Sequence, residues 1–168
     1  MLIRRETEAD IEAIRDVTEA AFAARPGGEA RLVGELRADV GWIPALSLVA
    51  EVDGAVVGHV VCTRGFVGEA PALGLGPLSV LPSHQRSGVG KALMHTALGA
   101  ADALDEPLVA LLGDPAYYSR FGFRRSSDYS ITPPDPTWAQ YFQIRTLAAY
   151  TPTLTGTFTY ATPFTTLP

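Results

Sequence analysis

Cysteine and lysine are nearly absent from this chain of 168 residues, which contains one of each, Cys62 and Lys91. A lone cysteine excludes an internal disulfide and a zinc cluster built on several thiolates. The 13 Lys and Arg residues against 18 Asp and Glu give a formal net charge of −5 at pH 7. The sequence therefore offers no clustered basic surface of the kind that binds nucleic acid, and it predicts no metal centre.

Long hydrophobic runs are missing as well. No stretch reaches the ~18 residues that a membrane-spanning helix requires. The N-terminal segment turns charged by Arg4, which is too early for a secretory signal peptide. Hydrophobic residues nevertheless make up 47% of the chain, enough for the core of one domain. We therefore expect a single domain over residues 1–168, located in the cytoplasm, with neither a membrane nor a nucleic acid as its partner.

Apolar periodicity predicts helices near the N terminus and strands after them. Residues 11–22 and 29–39 carry apolar side chains at helical spacing. Asp53-Gly54 separates two β-rich runs, which is a strong hairpin signal. The period of two from Thr155 to Tyr160 predicts a last strand, with a disordered Thr/Pro-rich tail as the alternative. The other predicted strands cover residues 2–5, 46–52, 55–63, 73–81, 108–112 and 142–147.

A glycine-containing turn between a strand and a helix is the most informative segment. Its glycines leave backbone amides accessible, and the start of the next helix adds partial positive charge, so it can hold a phosphate or pyrophosphate. A Walker loop is excluded because Ala92 follows Gly90-Lys91, and a dinucleotide fingerprint fails because Leu93 replaces its third glycine. Glycines that serve only the packing of a βα turn are the alternative. The segment reads Gln85, Arg86, Ser87, Gly88, Val89, Gly90 and Lys91.

Three segments, in order along the chain, resemble the GNAT N-acetyltransferases. Gln85, Gly88 and Gly90 match that family's acetyl-CoA loop, Gln/Arg-x-x-Gly-x-Gly/Ala. Residues 78–82 resemble its Leu-x-Val-x-Pro strand, and residues 118–123 resemble its Tyr-x-x-x-Gly-Phe segment. Residues 111–118 are similar to a bacterial subgroup of predicted acetyltransferases. The motif-level resemblance covers roughly residues 45–125.

The resemblance implies a fold, a cofactor and a set of roles. It implies an α/β fold with a mixed, mostly antiparallel central sheet flanked by helices, and acetyl-CoA as acyl donor, with coenzyme A as product. The amides of residues 86–91 would bind the pyrophosphate. The strand segment Leu78, Ser79 and Val80 would contact the cofactor, with the Leu78 and Val80 amides reaching the pantetheine arm and the acyl oxygen. Tyr118 matches the family's general acid, and a phenol is protonated at neutral pH.

Other residues carry weaker expectations. Pro77 lacks an N–H and predicts a bulge or an edge in its strand. The strand before the loop holds no carboxylate, so Glu29, Glu51 and Glu69 remain as bases acting through water, although each suits an exposed surface too. His59 is expected to be a hydrogen-bonded core residue.

The remaining expectations concern packing and the acceptor. Tyr117 and Cys62 are expected to pack in the core, and Asp114 replaces an asparagine that the family usually has. Trp42, Trp138, Tyr141 and Phe142 either line the acceptor pocket or pack in the core.

The predicted function is direct transfer of an acetyl group from acetyl-CoA to a primary amine of a small molecule or protein in a ternary complex, with a small-molecule or peptide amine as the expected partner. Two alternatives remain open. One is a non-catalytic acyl-CoA-binding or sensor module, and the other is transfer of a longer acyl group. The sequence also leaves a homodimer open.

Overall fold

The computed structural model describes residues 1–166, and a twisted sheet runs through their centre. Each predicted strand forms, because the β-rich runs are bounded by turn residues such as Asp53-Gly54, where both residues adopt positive φ. The strands are β1 (Leu2–Arg5), β2 (Ser47–Val52), β3 (Ala55–Val67), β4 (Ala70–Val80), β5 (Leu108–Leu112), β6 (Arg124–Arg125), β7 (Ile131–Thr132), β8 (Phe142–Thr146) and β9 (Gly156–Thr159).

Helices cover the two faces of this sheet. The α-helices are α1 (Ile11–Phe22), α2 (Glu29–Ala38), α3 (Val89–Ala103) and the single turn α4 (Pro115–Tyr118). Short 3₁₀ turns fill the connections at Glu8–Asp10, Pro44–Leu46, Pro82–His84, Ser119–Phe121, Ser126–Tyr129, Pro136–Trp138 and Thr162–Thr166. Within the part of the chain that the structure describes, no helix is both long and apolar enough to cross a membrane.

The strand order is β1-β2-β3-β4-β5-β8-β6. Neighbours pair antiparallel except for β4 and β5, which run parallel. The fold is therefore a mixed, mostly antiparallel α/β sheet flanked by helices, as predicted. Strand β3 extends beyond the predicted Thr63 to Val67, because its last residues pair with both β4 and β9.

Strand alternation divides the core between the two faces. Leu48 and Ala50 of β2 pack in one cluster with Leu93 of α3. Val49, between them in sequence, points to the opposite face and packs with Ile14 of α1. The helix that follows the glycine loop and the first two helices therefore lie on opposite sides of the sheet.

The Thr-rich C-terminal segment is an ordered strand. Phe158 is 1% exposed and packs edge-on against Tyr160, with ring centroids 4.8 Å apart. Gly65 makes room for this ring, because a Cβ at that position would lie 2.6 Å from Phe158 Cζ. The predicted period of two is confirmed, and the alternative of a disordered tail is wrong for these residues.

A buried polar network attaches α2 to the sheet. Arg37 donates to Glu6 at 2.7 Å, and the Ser47 hydroxyl donates to Glu6 while accepting from His59 Nε2, which lies 2.8 Å away. Burial lowers the pKa of His59, which outweighs the raising effect of Glu6. Burial opposes ionisation of Glu6, but hydrogen bonds from His59, Arg37 and Ser47 lower its pKa to about 2. His59 is thus the hydrogen-bonded core residue that the sequence predicts.

Candidate functional site

The parallel strands β4 and β5 separate in the middle of the sheet. They are paired at Leu73 with Val109 and at Gly74 with Ala110, and β5 then continues beside β8 alone. On the other side, β4 shifts register against β3 between Val60 and Cys62, where Pro77 interrupts the ladder. The predicted bulge is present, and beyond Gly74 the side of β4 toward β5 is also unpaired, as at an edge. The C-terminal half of β4 consequently faces a cleft instead of a neighbouring strand.

Strand geometry decides which β4 amides face this cleft. The Leu81 amide donates to Val57 of β3 at 2.9 Å, so alternation also directs the amide of Ser79 toward β3. The amides of Leu78 and Val80 then point away from β3, into the cleft. Gln85 supports this orientation, because its side chain donates to the Val80 carbonyl at 3.2 Å on that side. Two backbone donors that the sequence predicts as acyl-carrier contacts are thereby available.

The loop after β4 leads to a helix end rich in free donors. Arg86 and Gly88 both adopt positive φ, at 57° and 92°, which reverses the chain and makes Gly88 the N-cap of α3. The first backbone bond into the helix is donated by Ala92 to Gly88 at 2.9 Å. Within residues 1–166, the amides of residues 86–91 donate to no backbone carbonyl outside regular elements. They and the helix dipole form a site suited to a pyrophosphate.

Tyr117 lies beside this loop, although the sequence predicts only that it packs in the core. A Cβ placed on Gly90 would lie 3.0 Å from the Tyr117 hydroxyl and 3.6 Å from Val80. The phenol therefore closes a groove of about 340 Å³ that Leu78, Gln85 and Arg86 also line. Its ring packs against the core and under the Arg120 guanidinium at 4.8 Å. The predicted core packing therefore describes the ring, while the hydroxyl lies at the groove. No spacing in the sequence indicates this position, because it depends on how α4 packs against α3.

Tyr118 occupies the inner end of the cleft. Its ring crosses Gly113, where an added Cβ would lie 2.3 Å from Tyr118 Cε2, so a glycine is required there. Burial raises the pKa of the phenol to about 12, with a further contribution from Tyr117. The hydroxyl therefore stays protonated at neutral pH, which a general acid requires.

Beyond Tyr118 lies a cavity of about 510 Å³, which we name the acceptor cavity. Helices α1 and α2, strands β4 and β5, and the C-terminal segment all contribute to its walls. Its lining is mostly apolar and aromatic. It comprises Phe22, Glu29, Leu32, Leu75, Gly76, Pro77, Leu78, Leu111, Leu112, Tyr118, Trp138, Tyr160 and Phe164.

Some candidates from the sequence do not come into this cleft. Ser79 is fully buried and donates to Thr18 of α1 at 3.2 Å, so its side chain supports the strand from behind. The Val89 side chain is buried in the core cluster, which leaves only its amide at the loop. Lys91 and Ser87 are exposed at the loop surface. Asp114 caps α4 by accepting from the Ala116 amide at 2.9 Å.

Of the remaining acid, thiol and aromatic candidates, some line the acceptor cavity and the others lie elsewhere. Glu51 pairs with Arg4 at 3.0 Å, and Glu69 is exposed in the β3–β4 turn, whereas Glu29 lines the acceptor cavity. Burial, with a smaller effect of Glu106, raises the pKa of Cys62 to about 12, so this thiol is packed and unreactive. Trp138 lines the acceptor cavity, while the other three aromatics lie elsewhere: Trp42 under Arg37, Tyr141 exposed and Phe142 in the core. Across residues 1–166, no group of three or more His, Cys, Asp or Glu side chains is placed to hold a metal ion.

Known proteins resemble this chain in sequence. The model of the acetyltransferase (GNAT) domain matches residues 44–125. The relative named as the uncharacterized N-acetyltransferase YjhQ of Escherichia coli K12 is 35% identical over 164 residues, covering 93% of this chain and 90% of the relative.

Two solved structures share the whole fold. The GNAT family N-acetyltransferase YhbS from Escherichia coli, in complex with CoA, superposes with a TM-score of 0.90 at 31% identity, covering 98% of this chain and 91% of that one. A GNAT family acetyltransferase from Brucella melitensis, in complex with acetyl-CoA, gives a TM-score of 0.81 at 36% identity and covers 97% of both chains.

Proposed function

The chain belongs to the GNAT family of N-acetyltransferases, and from that premise we propose that it moves the acetyl group of acetyl-CoA directly onto a primary amine. The observation that carries this proposal is the continuity of three features. The free amides at the start of α3 lie at one groove, Tyr118 lines the acceptor cavity, and Leu78 of β4, at the cleft toward β5, lines both of these adjoining spaces. A thioester carrier of extended shape fits that sequence of sites.

Acetyl-CoA supplies an activated acyl carbon and a thiolate leaving group, and the chain supplies the contacts. The amides of residues 86–91 bind the pyrophosphate, helped by the charge of Arg86. The Leu78 and Val80 amides hold the pantetheine arm and polarise the acyl carbonyl, a contribution of about 3 kcal/mol for one well-placed donor. Tyr118 donates its proton to the departing sulfur and regains one from the acceptor nitrogen, which carries an extra proton after its attack on the acyl carbon.

Acetyl is favoured over a longer acidic acyl group. None of the side chains that line the acceptor cavity is a lysine, arginine or histidine, so a succinyl carboxylate would be buried without a counter-ion. Phe22 and Leu78 line both the groove beside Tyr117 and the acceptor cavity, so the two spaces adjoin. This position suits an amine that approaches the bound acetyl group from the far end of the cleft.

Calorimetry and an activity assay test the proposal together. Acetyl-CoA titrated into the protein should give a saturable heat signal, and amines should then release a free thiol, detected with a chromogenic disulfide. Binding without amine-dependent thiol release would leave an acyl-CoA-binding module, and absence of binding would overturn the proposal altogether.

A further inference from the structure

We propose that the acceptor cavity takes a small monoamine with a single apolar, preferably aromatic, body, and that Glu29 binds its ammonium group. This inference rests on the proposed acetyl transfer and specifies its substrate. It follows from one carboxylate that has no counter-ion and from the apolar surface around it.

Glu29 is held at the cavity wall at the start of α2. The Gly27 amide donates to Glu29 Oε2 at 2.9 Å, which fixes one carboxylate oxygen. Among residues 1–166, no Lys, Arg or His lies within salt-bridge distance of Glu29, whereas Glu35 on the same helix pairs with Arg31. A partly buried carboxylate beside apolar walls is stabilised by a cation, and residues 1–166 place none within salt-bridge distance of it.

The remaining walls define the rest of the ligand. Phe22, Leu32, Trp138 and Phe164 surround the cavity with apolar and aromatic surface. Such surface removes apolar groups of a ligand from water, so an alkyl or aryl body gains affinity there. At about 510 Å³, the cavity also limits the size of that body.

Three common classes of amine fit this lining poorly. A polyamine or an aminoglycoside brings several cations, of which Glu29 can neutralise one. An amino acid brings a carboxylate, which would find no cation among the lining residues. A peptide brings polar backbone groups that the apolar walls cannot pair.

Glu29 also accounts for the proton that the acceptor must lose. One ammonium N–H bond breaks first and its proton moves to a Glu29 oxygen, directly or through a water; the lone pair that this frees then attacks the acyl carbon. The resulting carboxylic acid releases that proton to solvent, while the second proton leaves by way of Tyr118 to the sulfur. The net products are the amide, the free thiol and one proton.

Matched amines test the substrate class with wild-type protein. 2-Phenylethylamine and phenylalanine share the aromatic body and differ by a carboxylate, and spermidine adds cations without an apolar body. We expect kcat/KM for 2-phenylethylamine to exceed that for phenylalanine, spermidine and a short peptide by at least about tenfold. A preference for any of these three would overturn the inference while leaving the acetyltransferase assignment intact.

Matched variants test the role of the carboxylate. Glu29→Gln should lower kcat/KM for 2-phenylethylamine by about 10²-fold or more, with the affinity for acetyl-CoA unchanged. Glu35→Gln, on the same helix and paired with Arg31 outside the cavity, is the control and should keep wild-type values.

Dead-end inhibitors separate charge from packing. N,N-dimethyl-2-phenylethylamine is cationic but cannot form a stable amide, and 2-phenylethanol is its neutral counterpart. Glu29→Gln should raise the inhibition constant of the amine at least about fivefold and leave that of the alcohol unchanged. Equal effects on both compounds, or wild-type behaviour of Glu29→Gln, would refute the role of Glu29. If Glu29→Gln fails to fold, stronger inhibition of the wild type by the alcohol than by the amine refutes it equally well.

Discussion

The first turn of α3 gives the sharpest test of the cofactor groove, through replacement of Gly90 by valine. An added Cβ would lie 3.0 Å from the Tyr117 hydroxyl and 3.6 Å from Val80 Cγ2. The two further methyl groups of valine therefore fill the groove between Tyr117 and Val80. They stand where a pyrophosphate would approach the amides of residues 88–91.

The expected loss follows from the contacts that become unreachable. A hydrogen bond to a charged group contributes about 1.5–3 kcal/mol, so the loss of two amide–phosphate bonds weakens binding by about 3–6 kcal/mol. At 1.4 kcal/mol per factor of ten, the dissociation constant of acetyl-CoA should rise by at least about 100-fold. Titration calorimetry measures this directly.

Gly99→Val is the matched control. Gly99 lies on the same helix, is exposed, and has no atom within 4 Å of an added Cβ. Both variants exchange glycine for valine in α3, melting temperatures show that each one folds, and only Gly90→Val should lose acetyl-CoA. A Gly90→Val protein that binds acetyl-CoA as tightly as Gly99→Val would refute the groove.

Three further predictions concern Tyr118, its packing and the buried network. Tyr118→Phe should lower kcat by more than about tenfold with an unchanged dissociation constant for acetyl-CoA, because only the proton donor is removed; an unchanged rate would exclude Tyr118 from the mechanism. Gly113→Ala should lower kcat as well, since its Cβ would meet the Tyr118 ring at 2.3 Å; steady-state rates beside Tyr118→Phe test this, and wild-type turnover would contradict the packing. The free energy of unfolding, from urea titrations at several pH values, should fall below pH 6.5, because the unfolded chain protonates His59 more readily than the folded protein does. It should fall further as the pH drops from 4.5 toward 2, where protonation of Glu6 is disfavoured in the folded state. His59→Gln should abolish the loss of unfolding free energy that begins below pH 6.5, whereas His95→Gln, at an exposed site, should not. If the unfolding free energies of the two variants depend on pH in the same way, this account is refuted.

Local pattern was sufficient for the order of elements and for the main motifs. The Asp53-Gly54 hairpin, the helix that starts at Val89 and the bulge at Pro77 each depend on a few adjacent residues. Their conformations follow from φ preferences and a missing N–H, which neighbours in sequence decide. The Leu78 and Val80 amides lie on the same side of β4 because residues two apart in a strand point the same way, which is again a local property.

Positions that depend on distant partners escaped prediction. The closing of the groove by Tyr117 follows from the packing of α4 against α3, and the sequence indicated only an apolar environment. Three glutamates were equivalent as candidate bases until the fold brought Glu29 to the acceptor cavity and paired Glu51 with Arg4. No local pattern indicates the role of Glu6, because its partners Arg37 and His59 are far away along the chain.

The sequence by itself determined a strand, a glycine turn and a helix whose free amides can bind a pyrophosphate, since this conformation depends only on neighbouring residues. Tertiary structure alone decided how far β4 and β5 part, which carboxylate faces the resulting cavity, and which tyrosine stands at each end of the cleft. Those features come from strand pairing and helix packing between segments tens of residues apart. Their energies depend on which surfaces meet, and no local pattern in the chain contains that information.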